Sequence, residues 1–261
     1  MKQGIPYLLL VGVIGFTLTG CVTERTYTGT DIPVAQRDIN KHSAARERMQ
    51  LGLTYLRRGN GEQAKYNLDK AVEFAPDLSE VHVAMAYFYQ TVGDLERTEQ
   101  SYRNAINTND ATGDAKNNFG VFLCQQKKYA ESEAMLLDAI ETPKYTRTAS
   151  SYENLGVCSK NAGNLDKARH YFNMALKYDS RRANTLIGLT ELDMESSDYV
   201  SARNMLEKYH SVANETAESL ALGIEIEQNL GNFDAMKNFG IKLIAKFPAS
   251  PQAKEYRANL H

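Results

Sequence analysis

Small and large side chains recur along this chain at a fixed interval. Gly52, Ala86 and Gly120 stand 34 residues apart, and after a slip of two residues Gly156, Thr190 and Ile224 keep the same step. Twelve residues after each beat come Ala64, Thr98, Ser132, Ala168, Ala202 and Met236, and nineteen after it Ala71, Ala105, Ala139, Ala175, Tyr209 and Leu243. Between these two sets Leu68, Tyr102, Leu136, Phe172 and Leu206 supply bulk. Small residues let two helices approach and large ones fill the space beside them, so each interval predicts one helix–turn–helix unit. The turns are marked separately by Gly59-Asn60, Gly93-Asp94, Gly163-Asn164 and Gly231-Asn232. Glycine just past a helix takes the left-handed conformation without a side-chain penalty, and Asn or Asp then caps the next helix. Units three and five carry Lys127-Lys128 and Ser197-Asp198 there, which is poorer turn chemistry, although Tyr129 and Tyr199 still anchor the second helix as Leu95, Leu165 and Phe233 do elsewhere. The predicted units are residues 45–78, 79–112, 113–146, 149–182, 183–216 and 217–250, with a capping helix over 251–261. The helical pattern begins at Val34 and is expected to run unbroken through Arg58.

A unit of this length and pattern resembles the tetratricopeptide repeat, which implies an all-α, right-handed superhelical solenoid of about six repeats with a C-terminal helix. Such solenoids usually bind partners with the inner face of their first helices. The register places Met49, Leu53, Leu56, Val83, Tyr87, Asn117 and Val121 on that face, a mostly apolar track. Two readings of the track stand: a groove for an apolar helix or extended segment of a partner, or self-burial under the chain's own first helix or curvature. The chaperone-tail clamp of this repeat family uses Lys and Asn at such positions, and Met49 and Leu53 in their place disfavour an acidic tail as cargo.

At the front, Lys2 precedes an uncharged, largely apolar run from Gly4 to Phe16, closed by Leu18-Thr19-Gly20-Cys21. The run is short for a membrane span and is arranged like a secretion signal. Its last four residues resemble a bacterial lipobox, which implies removal of residues 1–20 and lipid on Cys21, with 21–33 as a Thr-rich tether. By analogy with lipoprotein sorting, Val22 rather than Asp after the lipid site favours the outer membrane, on its periplasmic face. An ordinary signal peptide or membrane anchor with a chance cysteine is the other reading.

Composition narrows the function. With 43% hydrophobic and 24% charged residues and six prolines, the chain reads as a folded domain on a leash. A net charge of −2 with interspersed signs shows no basic surplus, so nucleic acid is not an expected partner. His42, His82, His170, His210 and His261 are scattered without metal-ligand spacing, and no phosphate loop appears. No catalytic residue, metal, cofactor or small-molecule substrate is expected; the covalent lipid on Cys21 is the sole non-protein group. Cys124 and Cys158 hold similar places in the first helices of repeats three and four, so a bridge and a pair of buried reduced thiols both stand. A Cys-x-x-Cys redox motif is excluded by their spacing.

Three stretches go further than the generic repeat. Residues 44–56 (AARERMQLGLTYL), 117–124 (NNFGVFLC) and 153–158 (ENLGVC) resemble the outer-membrane tetratricopeptide lipoproteins of type IV pilus biogenesis, the PilF or PilW family. The resemblance covers Cys21 onward and is weakest in repeats five and six. It implies a pilotin, a lipoprotein that escorts the type IV pilus secretin subunit to the outer membrane and promotes its assembly into a ring. It also implies Cys21 as the lipid site and Cys124 with Cys158 as the candidate disulfide. A lipid-anchored scaffold for wall synthesis or outer-membrane protein assembly is the alternative within the same class, and a redox enzyme using the two cysteines the alternative outside it.

Overall fold

The computed structural model describes residues 40–259. Among them stand thirteen α-helices and no strand. They pair in chain order as α1 (Lys41–Arg57) with α2 (Gly61–Phe74), α3 (Ser79–Thr91) with α4 (Leu95–Ile106), and α5 (Gly113–Gln125) with α6 (Tyr129–Glu141). Then follow α7 (Thr148–Asn161) with α8 (Leu165–Tyr178), α9 (Ala183–Glu195) with α10 (Tyr199–Val212), and α11 (Ala217–Asn229) with α12 (Phe233–Lys246), closed by α13 (Pro251–Ala258). Each pair packs on the next, which is the tetratricopeptide solenoid. The signal, Cys21 and the tether lie outside the described residues.

The turns follow from their residues. Gly59, Gly93, Gly163 and Gly231 have φ of +75°, +79°, +77° and +72°, the left-handed region. Asn60, Asp94, Asn164 and Asn232 then accept the backbone N–H three residues on, capping the second helices, and Asp198 does the same for α10. Such caps contribute about 1 kcal/mol each. Lys127 and Ser197 take the same left-handed geometry at φ +59° and +58° despite their side chains, and Lys128 gives α6 no side-chain cap.

The helix pairs close on the small-against-large contacts. A Cβ added to Gly52 would sit 2.7 Å from Leu68 Cγ, and one on Gly120 would sit 2.6 Å from Leu136 Cγ. Both approaches require glycine, and the leucines they admit are fully buried. Phe172 goes further, pressed between Gly156 of its own repeat and Gly188 of the next.

Two expectations are corrected here. The first helix does not run unbroken from Val34: Asn40 is extended (φ −63°, ψ 101°), and its side chain accepts the Ser43 N–H at 3.1 Å, so α1 starts at Lys41. Residues 34–39 lie outside the described residues. In repeat six the close contact is not at Ile224, which is only half-buried, but one residue earlier, where Gly223 meets Phe239. The aromatic ring needs the space that only the glycine leaves.

Candidate functional site

Residues four apart on a helix share a face. Met49 and Leu53 on α1 and Val83 and Tyr87 on α3 therefore project together, and with Val121 on α5 they line one groove of about 820 Å³. Ala84, Ala115, Tyr102 and Phe122 form its buried floor, and burial pushes the Tyr102 phenol above its ordinary pKa. Most of the wall stays accessible: Tyr87 is 51% exposed and Leu53, Val83 and Val121 are half-buried, while Met49 is buried in the first-repeat core. The rim is polar, with Arg57, Gln90 and Asn118, and its two acids are already paired. Arg46 holds Glu80 at 2.5 Å and Arg147 holds Asp114 at 3.2 Å. What remains open is an apolar trough whose rim acids are neutralised, a surface suited to the apolar face of a helix or an extended segment.

Two of the seven residues assigned to the track lie elsewhere. Leu56 is half-buried against the first-repeat core and does not line the groove. Asn117 is buried at 4% exposure between repeats, where its Oδ1 accepts the Ser151 hydroxyl at 2.9 Å and the Asn154 amide at 3.0 Å. Polar partners on α7 turned it away from the groove, and its neighbour Asn118 lines the trough instead. Tyr102 and Phe122 were missed as well. Tyr102 was counted only as repeat bulk, yet a phenol with one face in the core and one in a groove serves both ends.

Cys124 and Cys158 come together at the junction of repeats three and four, with Cα atoms 5.7 Å apart, inside the disulfide window. The same junction is laced with polar contacts. Lys167 and Tyr171 of repeat four donate to Glu133 of repeat three, at 2.8 and 2.6 Å. Farther along, burial alone would raise the Glu153 carboxyl, but Arg182 and Thr185 outweigh it and hold the group below the usual carboxylate range. These groups tie repeats together rather than facing a cleft.

Three of the histidines make local polar contacts. His82 Nε2 meets the Pro76 carbonyl at 2.7 Å, His42 meets Asp77, and His210 meets the Ser219 hydroxyl at 3.0 Å. Among the described residues no group of three or more His, Cys, Asp or Glu side chains is placed to hold a metal ion, and no helix is long and apolar enough to cross a membrane.

Comparison with known proteins agrees with this architecture. Two tetratricopeptide-repeat family models match residues 112–142 and 149–182. The type IV pilus assembly protein PilF of Pseudomonas aeruginosa is 31% identical over 258 residues, 99% of this chain and 98% of that one. An uncharacterised protein of Haemophilus influenzae is 32% identical over 171 residues, 66% of this chain and 90% of its own. A solved structure of the Pseudomonas PilF superposes with a TM-score of 0.72 at 30% identity, covering 84% of this chain and 99% of that one. The crystal structure of PilW, a type IV pilus biogenesis factor, gives 0.71 at 26% identity, covering 81% and 97%.

Proposed function

This chain belongs to the PilF family of type IV pilus assembly proteins, and within that role we propose that it acts as a pilotin. In this reading Cys21 carries lipid that holds the protein to the periplasmic face of the outer membrane. The solenoid takes up a segment of the pilus secretin subunit and promotes its localisation and assembly into multimers. The work is binding, without catalysis or cofactor. A bridge between Cys124 and Cys158 stiffens the junction of repeats three and four in the oxidising envelope, and free-thiol counting on denatured, unreduced protein checks it.

The observation that carries the proposal is the trough lined by Met49, Leu53, Val83, Tyr87 and Val121 at the end of the solenoid nearest the tether in sequence. An apolar trough in a lipid-anchored protein suits a cargo that must be kept from aggregating until it reaches the membrane.

Replacing Leu53 and Tyr87 with Glu tests it. An unpaired charge under an apolar partner costs several kcal/mol to desolvate. Secretin multimers are expected to fall and monomers to accumulate while the variant stays at the membrane. Leu53 also packs against the first-repeat core, so Tyr87→Glu alone, at an exposed position, is the companion variant. Circular dichroism verifies folding. Normal multimers with a folded double variant remove this groove from the mechanism.

A further inference from the structure

We propose that the last two repeats carry a second docking groove, and that its occupant is a basic, partly apolar peptide segment of a protein partner. The groove, about 440 Å³, is lined by residues from α9, α11, α12 and α13. Leu222, Ile224 and Tyr256 supply apolar surface over the fully buried Leu243, and its rim carries the carboxylates of Glu218, Glu225 and Glu255, all on exposed residues. Glu191, a fourth, is already paired with Lys160. No lysine or arginine lines the groove.

That lining differs from the first groove, whose rim carries Arg57 and two acids paired with Arg46 and Arg147. The buried or half-buried acids elsewhere meet a cation of the chain: Glu153 meets Arg182, Asp193 meets Arg169, Glu227 meets Arg203, and Glu215 meets Lys242 and Lys246. Glu225 and Glu255 have no ion-pair partner among the described residues, and Glu218 receives only the Gln252 amide at 3.4 Å. Gln252 Oε1 is buried at the groove wall without a hydrogen-bond partner.

The charged groups around this groove are thus all anions, set about an apolar surface. Lys and Arg answer both demands, because their alkyl stems lie on apolar surface while their heads donate and carry charge. Interspersed Leu or Val on the same segment would fill the space at Leu222 and Ile224. The first groove, whose rim acids are paired within the chain, offers no such charge selection.

The test uses the full chain in nonionic detergent, with a fluorescein-labelled short peptide of alternating lysine and leucine as probe and micelles alone as baseline. Fluorescence anisotropy is expected to show salt-sensitive binding of this peptide and none of its glutamate–leucine counterpart. The triple variant Glu218→Gln, Glu225→Gln, Glu255→Gln should weaken binding about tenfold or more and flatten the salt dependence, while Tyr87→Glu leaves it unchanged. These positions are exposed, so folding is retained, as circular dichroism verifies. Wild-type affinity in the triple variant overturns the proposal, as does loss of binding in Tyr87→Glu, which would seat the peptide in the first groove. Sedimentation supplies the remaining arm: a dimer of the unliganded chain that dissociates in the triple variant would make a second copy the occupant, and would overturn it too.

Discussion

Phe172 and Phe239 hold equivalent places, each sixteen residues after a glycine on the preceding helix, yet they live in different surroundings. Phe172, in repeat four, is 1% exposed and clasped by Gly156 on one side and Gly188 of the following repeat on the other. Phe239, in repeat six, meets Gly223 and is only half-buried, with His210 and Lys242 beside its ring. A solenoid gives each repeat only its neighbours, so an aromatic in the middle is packed from two sides, while one near the end relies on polar company. The single helix α13 closes the stack with the same device, Tyr256 against Gly240. Hydrophobic wedging therefore dominates the centre, and charge does more of the holding at the C-terminal end.

The largest effect expected from this contrast is in the two phenylalanines themselves. Phe172→Ala should cost about 3–5 kcal/mol, the range for a buried aromatic whose cavity cannot collapse. Phe239→Ala should cost about 1–2 kcal/mol, because less area leaves water and the site is open on one side. Urea melts followed by circular dichroism measure both. Equal losses would break the comparison.

A smaller effect separates the regions by pH. Hydrogen bonds from Lys242 and then Lys246 bring the Glu215 carboxyl down to about 2 from the usual 4.5. A carboxyl with a depressed folded pKa contributes stability that is complete above the unfolded value and is lost as pH falls from about 4.5 toward 2. His210 beside it shifts in the same sense, since burial lowers its imidazole and the unfolded chain binds the proton more readily on acidification. Both lysines are exposed, so solvent screening leaves on the order of 1 kcal/mol to the Glu215 cluster. Lys242→Ala with Lys246→Ala should remove that share of the stability difference between neutral and strongly acid solution, read from denaturant melts at the two pH values. An unchanged difference would mean that charge does not hold the C-terminal end.

Much of this contrast was legible in the sequence, and the exceptions have physical causes. The Gly-Asn and Gly-Asp turns and the Gly52, Gly120 and Gly156 contacts could be read directly because each obeys a local rule: positive φ, a cap, or a close approach. The register of repeat six was misread because Ile224 keeps the 34-residue step, whereas the ring of Phe239 demands the glycine one residue before it. Asn117 was placed on the groove by the same step from Met49 and Val83. Its burial depends on Ser151 and Asn154, which are far along the chain and adjacent only once repeats three and four stack. Periodicity gives the face of a helix and not which neighbour will claim a polar side chain. The groove rim was likewise beyond reach, since the pairing of Arg46 with Glu80 joins residues of two repeats.

The smallest expected effect concerns the turns, and it sharpens the comparison by asking whether centre and end differ in anything besides packing. Lys127 in repeat three and Ser197 in repeat five both stand at φ near +60°, where the other four units have glycine. A side chain there costs about 1–2 kcal/mol, part of which glycine returns through the greater backbone freedom it loses on folding. Lys127→Gly and Ser197→Gly should each stabilise the protein by about 0.5–1 kcal/mol. The flanking groups need not change, because Asp198 already caps α10 and Lys128 already pairs with Glu99 at 2.8 Å. A turn is local, so the two gains should match within error even though one lies near the middle of the stack and the other near its end. Denaturant midpoints of the two single variants supply the measurement. A gain at Lys127 without one at Ser197 would show that the end of the solenoid is frayed at that turn and would extend the difference between the regions from packing to the backbone.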